Sequence, residues 1–554
     1  MCVILKKFLV RSDLVESTLN RLNRSEPILC VCAAMKPFIM VNKVTDLVSA
    51  MTKKLGSLTD IELKWSTITT LVTMLIVLQC LRMFYRTHFH GLRRIPGPWL
   101  SSSTSLWIRW QRWNGRLSFA ADSLLTKYGP IVRISPDMVL VNDFDCVERS
   151  FIRKDLDTAP TSIRALRVGG YDWTVTYPQH PIARLRRHPV MIATTTKCMK
   201  FWHETFTKNI NDMVKTISRS GGFKSEDIVE HLRICTLKNS QVVMGGSAVS
   251  LDPGDFPRVV GEYNFLVVWR LCLPAWLYSW LQFSPFAHPR FRIKSSDRLL
   301  DLGAEICRQA DINTAAENTD AVPNVYKLFT DKDAKYPTQE WTRPELSAEM
   351  AGQILAATET TSSALAFIFY ELAKNQDLLE ELHAELLSTE STEELESLKL
   401  LDACIKEGLR FRPPVALTGS RLVPEGGMEL LGHHLPAGTV ITTQSLSMSR
   451  QRVDLFPDFD VYNPLRWLEE DKLVERRRLL VPFGLGARRC PGGNMALYQM
   501  RLILHATIRA FKITVAPETT PQKMEPFEAN GYRSRHDRCD LIFVPRSSET
   551  QSST

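Results

Sequence analysis

One cysteine in this chain of 554 residues sits where its sulfur could do chemistry. Within residues 481–500, VPFGLGARRCPGGNMALYQM, Cys490 lies in a loop with Gly484 and Gly486 before it and Gly492 and Gly493 after it, where a helix is predicted over 494–505. Glycines at such spacing let the backbone turn tightly and approach a flat ligand closely. A thiolate near a helix N-terminus is stabilised by the positive end of the helix dipole. Arg488, two residues upstream, can answer a second negative charge. A haem iron bound by cysteine, with a propionate paired to arginine, needs that combination. The alternative is a buried free cysteine in an ordinary turn. Half of a zinc knuckle would want a second cysteine two to four residues away, and none is there.

Phe483, Gly484, Gly486, Arg488, Cys490 and Gly492 resemble, in order and spacing, the haem-binding signature of the cytochrome P-450 superfamily. The resemblance implies that Cys490 ligates the iron of haem b and that Phe483, Gly484, Arg488 and Gly492 help to hold the cofactor. Further motifs follow the same pattern. In Ala356-Ala357-Thr358-Glu359-Thr360-Thr361 an acid precedes two threonines, poor chemistry for a helix interior because hydroxyls compete for backbone carbonyls. The resemblance gives Glu359 and Thr360 catalytic roles in oxygen activation; a surface polar patch is disfavoured by the apolar runs on both sides. Glu407 and Arg410 share a helix face three residues apart, ahead of Pro413-Pro414. With Arg466 in Asn463-Pro464-Leu465-Arg466-Trp467 they would form the family's structural triad. Arg184 and Arg187, also three apart, share a helix face. The resemblance implies that one of them meets a haem propionate, with a solvated basic face as the alternative, and the register is open: His180 stands four residues before Arg184, Ala183 four before Arg187. Arg421 stands where several members place a second propionate ligand.

The elements that must position these residues are readable in outline. A long helix starts near Pro344 with Thr342 as its cap and carries the Glu359-Thr360 pair. Short strands are predicted at 131–134 and 138–141, around 418–421 and 435–440, and at 511–515 and 541–544. Residues 265–286 are rich in aromatics and broken by Pro274; the resemblance makes them the roof of a substrate channel, and core packing reads equally well. Val415, Ala416, Leu417 and Phe527 are candidate pocket residues. Arg476, Arg477 and Arg478 precede the cysteine loop and, if exposed, would steer an acidic reductase surface.

Upstream, residues 65–81 carry no charge and extend to 85 if Arg82 snorkels, which predicts a transmembrane helix flanked by Arg82, Arg86, Arg93 and Arg94. Ile95-Pro96-Gly97-Pro98-Trp99 ends that helix and resembles the family's membrane hinge. The resulting division is an N-terminal extension (1–64, where Met40 or Met51 is the expected translation start), an anchor (65–85), a basic, proline-rich hinge (86–100), a monooxygenase domain (101–545) and a disordered tail (546–554). Twelve cysteines without paired spacing, apart from Cys30 and Cys32, exclude a secreted disulfide framework. A net charge of +9 spread among acids argues against nucleic-acid binding and for anionic lipid or an acidic protein partner. The expectation is therefore a mainly α fold with a small β-rich subdomain, the cytochrome P-450 fold, behind one transmembrane helix. The resemblance implies a single-pass enzyme of the endoplasmic reticulum membrane, its catalytic domain facing the cytosol. It would insert one oxygen atom from O2 into an apolar small molecule of specialised metabolism, a terpenoid or polyketide for example. Electrons would come from NADPH through NADPH-cytochrome P-450 reductase, with cytochrome b5 as an optional second donor. The alternatives are a same-fold isomerase or dehydratase without external oxygen, and a non-catalytic haem sensor or electron carrier.

Overall fold

The computed structural model describes residues 65–151, 156–315, 324–331, 341–389, 391–392 and 394–546. The extension 1–64 with its start sites, and the tail beyond 546, lie outside the described residues. Two units, 1–80 and 81–554, are distinguished. The larger is mainly helical with small sheets.

Its longest helix is Arg343–Lys374, and the interior of its core. Pro344 sits in the first turn, and the Glu345 carboxylate fixes the start by accepting from the Thr342 N–H at 3.0 Å and hydroxyl at 2.8 Å. From Leu346 onward nearly every side chain is buried, because Ala287–Ala315 and Ile228–Gly245 pack along it. A helix that is apolar on most of its circumference belongs inside a protein.

The predicted strands form, except that residues 436–439 are a turn and the strand expected there runs over Val440–Gln444. Ile131–Ser135 pairs antiparallel with Met138–Val141, which pairs parallel with Val440–Gln444, which pairs antiparallel with Leu417–Leu422. Phe511–Val515 and Asp540–Pro545 pair antiparallel, with Glu226–Asp227 on the other edge of the latter. Pro526–Ala529 and Gly531–Ser534 make a separate hairpin.

Two expectations are corrected. A helix does cover the predicted anchor, Trp65–His88, but among the described residues no helix is long and apolar enough to cross a membrane. Ser66 and four threonines, Thr67, Thr69, Thr70 and Thr73, dilute its first half, and Arg82 and Arg86 charge its end. The helix stops well before Pro96, whose carbonyl accepts the Arg133 N–H at 2.8 Å and so docks the hinge on the first strand. Residues 265–286 divide at Pro274 into the end of Phe256–Cys272 and the short helix Ala275–Leu281, which exposes Trp276 and Trp280. Neither helix lines the cavity described next.

Candidate active site

A cavity of about 340 Å³ lies between Arg343–Lys374 and the cysteine loop. The loop owes its shape to Gly484 and Gly486, whose φ values of 72° and 69° are reached cheaply only without a side chain. Its closing hydrogen bond runs from the Cys490 N–H to the Phe483 carbonyl at 2.7 Å. Gly492 caps the helix Gly493–Ala510, longer at both ends than the sequence suggests. Cys490 is exposed where it lines the cavity, although its sulfur sits deep among protein atoms. Burial pushes its thiol pKa up, against the Gly492 N–H and the charge of Arg187, so the helix end alone does not make it a thiolate. Binding to a metal cation would displace the proton.

Three buried or half-buried arginines share the same wall. Arg187, on His180–Ala193, donates to the carbonyls of Ala487 and Arg489 and ties its helix to the loop. Arg488 donates to the carbonyls of Tyr177 at 3.0 Å and Pro178 at 2.7 Å, while its Nε is buried without a partner among the described residues. Arg421 donates to the Gly419 carbonyl at 3.0 Å and lies over the Phe151 ring. Burial, reinforced by Arg488 and Arg187, lowers the Arg421 pKa to about 10; burial and Arg187 bring Arg488 to about 10, with Asp157 opposing. None of the three makes an ion pair among the described residues. Three mutually repelling guanidiniums around a cavity thiol suit a flat ligand with a metal at its centre and carboxylates at its edge. The residues present therefore fit haem. Of the two candidate arginines, Arg187 lines the cavity, whereas Arg184 is exposed and lines no part of it.

From Arg343–Lys374, Ala356, Ala357, Thr360 and Thr361 line the cavity. The Thr360 hydroxyl donates to the Ala356 carbonyl at 2.7 Å, the local competition expected of a threonine inside a helix. Glu359 differs from expectation. It is buried but does not line the cavity, and its carboxylate is clamped by Arg233, from Nε at 3.0 Å and Nη2 at 3.1 Å, and by Arg533 Nη2 at 2.5 Å. Asp537 completes the cluster, accepting from Arg233 at 2.7 and 2.9 Å and from Arg533 at 3.2 Å. Burial would raise the Asp537 pKa, but Arg533 and Arg233 hold it below the ordinary value. A carboxylate tied to two buried guanidiniums does not swing freely between water and the cavity.

Glu407, Arg410 and Arg466 do form a unit. Glu407 accepts from Arg410 Nε and Nη2, both at 2.8 Å, and from Arg466 Nε at 3.2 Å. The Asn463 N–H at 3.0 Å and Trp467 Nε1 at 2.9 Å complete its shell, two donors that the spacing argument did not find. Arg476 is not a docking residue: it is buried, donating to the Leu455 carbonyl at 2.8 Å and to Glu469 at 2.7 Å, because the helix Leu473–Leu479 turns that position inward. Arg478 is exposed yet paired with Asp145 and Glu148, which leaves Arg477. Of the four pocket candidates only Val415 lines the cavity; Phe527 instead packs against Phe265.

A family model described as Cytochrome P450 matches residues 96–536, and the chain belongs to that family, with its enzyme class that of the P450 monooxygenases. It is similar to the averantin hydroxylase of Dothistroma septosporum, 26% identical over 454 residues that span 79% of this chain and 84% of the relative. The fusicoccadiene 8-ol C-16-hydroxylase of Phomopsis amygdali is 26% identical, with coverages of 79% and 86%. Among solved structures, the retinoic-acid-bound cyanobacterial CYP120A1 shares the fold at a TM-score of 0.66 and 20% identity, covering 82% of this chain and 99% of that one.

Proposed function

We propose that this monooxygenase hydroxylates or epoxidises an apolar small molecule of specialised metabolism, of terpenoid or polyketide type, with electrons delivered from NADPH by a reductase. The observation that carries this reading is that Cys490 and Thr360, from two different elements, line one cavity. The hydroxylase relatives support the reaction type.

Cys490 would hold the iron of haem b, and Arg187, Arg421 and Arg488 its carboxylates; thiolate ligation supplies the electron density that favours O–O cleavage. The rest belongs to the chain's own groups. Thr360 commits its proton to the Ala356 carbonyl, so toward the cavity Oγ1 is an acceptor and can hold a water whose second proton points at the reacting oxygen. Ala356 and Ala357 keep that wall small and apolar, which limits competing water. With Glu359 clamped, Thr360 with a bound water would handle the proton at the reacting oxygen, which favours oxygen insertion over isomerisation without oxygen or a purely carrier role.

We also propose residence at the endoplasmic reticulum membrane, the catalytic domain facing the cytosol. Leu71, Leu75, Leu78 and Leu81, all at least half exposed on Trp65–His88, support contact with lipid without requiring a span. Arg477 remains as a steering charge toward an acidic reductase, and cytochrome b5 is an optional second donor.

The decisive experiment incubates purified, haem-loaded protein with NADPH and a reductase, with and without terpenoid and polyketide substrates. Substrate-dependent NADPH consumption with an oxygenated product is expected. A normal carbon monoxide Soret band without oxygen-dependent product would refute oxygen insertion.

A further inference from the structure

The cavity is lined mostly by apolar groups but also by two amides, Gln353 and Gln499, and Gln499 is engaged at both atoms, donating to Thr361 Oγ1 and accepting from Asn239 Nδ2, each at 3.4 Å. Gln353 stands seven residues before Thr360 on Arg343–Lys374, two helical turns away on the same face, and is 6% exposed. Its Nε2 donates to Glu349 Oε1 at 2.8 Å. The other oxygen of Glu349 accepts the Thr174 N–H at 2.7 Å, which pins the segment bearing Trp173 and Thr174 to the helix. Gly352 permits that contact, since a Cβ there would lie 2.3 Å from the Trp173 ring. Glu349 is wholly buried, and burial pushes its carboxyl pKa up against the two hydrogen bonds it accepts. Gln353 is thereby braced, while its Oε1 has no partner among the described residues.

A buried carboxyl and amide are costly unless hydrogen-bonded, and an apolar pair of the same shape would serve packing as well. Gln353 lies in the cavity wall, and Glu349 holds it there from behind, which points to recognition. We propose that Gln353 is the polar anchor for substrate: an otherwise apolar skeleton whose hydroxyl or carbonyl oxygen bonds the Gln353 amide, on the order of 10 Å from the carbon presented beside Thr360, seven residues at the helical rise. A hydroxyl would donate to Oε1, and a carbonyl would accept from the second N–H. Glu349 and Thr174 are positioning residues for that amide. The inference rests on the monooxygenase reading of this cavity and deepens it toward mono-oxygenated, elongated substrates.

The test is binding, not turnover. The full chain, loaded with haem and checked by its carbon monoxide band, is titrated with dodecan-1-ol and with dodecane, reading the low-spin to high-spin shift of the Soret band. The parent should favour the alcohol, and Gln353→Leu should reduce the alcohol-to-alkane affinity ratio about five- to ten-fold, the worth of one buried hydrogen bond, while dodecane binding holds. Glu349→Leu should lower the ratio, and Glu349→Gln, which can still accept the Gln353 N–H, should restore it. If Gln353→Leu does not load haem, Gln353→Met serves in its place. A parent that does not discriminate, or a loaded variant with an unchanged ratio, overturns the proposal. Failure of the monooxygenase reading would look different: the ratio would stand, but reductase and NADPH would give no oxygenated product.

Discussion

Replacing Glu359 with glutamine should harm the fold before it harms oxygen chemistry. In the parent, Arg233 and Arg533 are 5% and 3% exposed and share two carboxylates, so the buried cluster is neutral. Glu359→Gln keeps the shape and removes one negative charge, leaving two buried guanidiniums on Asp537 alone. Each lost attraction at about 4 Å is worth roughly 4 kcal/mol at an effective dielectric of 20. Part of that is offset because the glutamate no longer has to be desolvated, and breaking a buried pair costs about 3–5 kcal/mol in practice. Against a native stability of about 5–15 kcal/mol this is a large fraction. The assay follows loss of the carbon monoxide Soret band in urea for parent and variant, alongside product formed per NADPH consumed. The variant's midpoint should fall markedly, and Arg233→Met in the same background should recover part of the loss by restoring neutrality, a coupling that a double-mutant cycle measures. A variant with parental stability and poor coupling of electrons to product would refute the clamp and return Glu359 to the role of a mobile proton carrier.

Arg410→Ala takes from the buried Glu407 carboxylate two charge-assisted donors and from the Phe459 carbonyl a third, leaving buried acceptors unsatisfied, so haem-loaded protein should be scarce; normal haem incorporation would count against the unit. Arg187→Ala should lower haem occupancy per polypeptide several-fold, whereas Arg184→Ala, at an exposed position, should match the parent within about 0.5 kcal/mol of stability. Equal losses in both would leave the register open. Thr360→Ala should keep the Soret band and NADPH consumption but send electrons to hydrogen peroxide, and unchanged coupling would reduce Thr360 to helix packing. Burial and then Arg509 lower the His505 pKa to about 4, below the unperturbed value of about 6.5. Its neutral form therefore contributes stability that is complete above about pH 6.5 and is lost as pH falls toward 4. His505→Gln should lose less stability than the parent between pH 7 and 5 by urea unfolding followed in far-UV circular dichroism, and an identical loss would refute the assignment.

What the sequence made legible was local. The glycine-flanked Cys490, the three-residue spacing of Glu407 and Arg410, and the Thr342–Pro344 helix start are each set by neighbours along the chain, and each holds in the fold. The Glu349–Gln353 pair was equally local, four residues apart on one helix, but spacing alone cannot tell a buried pair from one in water. Contacts between distant segments left no such trace. Arg233 and Arg533 reach Glu359 across 126 and 174 residues, so an acid that reads as a proton carrier in its motif becomes part of an ionic cluster in the fold. The same holds for Arg476, basic and surface-like in an Arg-Arg-Arg run, yet turned inward onto backbone carbonyls by a seven-residue helix. Arg187 was separated from Arg184 by the fold as well: an offset of three residues turns a helix by about 300°, close enough to share a face and far enough for one side to meet the cavity and the other water. Charge in this protein is thus positional information that the motif carries only halfway; what a buried arginine or glutamate does is decided by the partner that tertiary packing supplies.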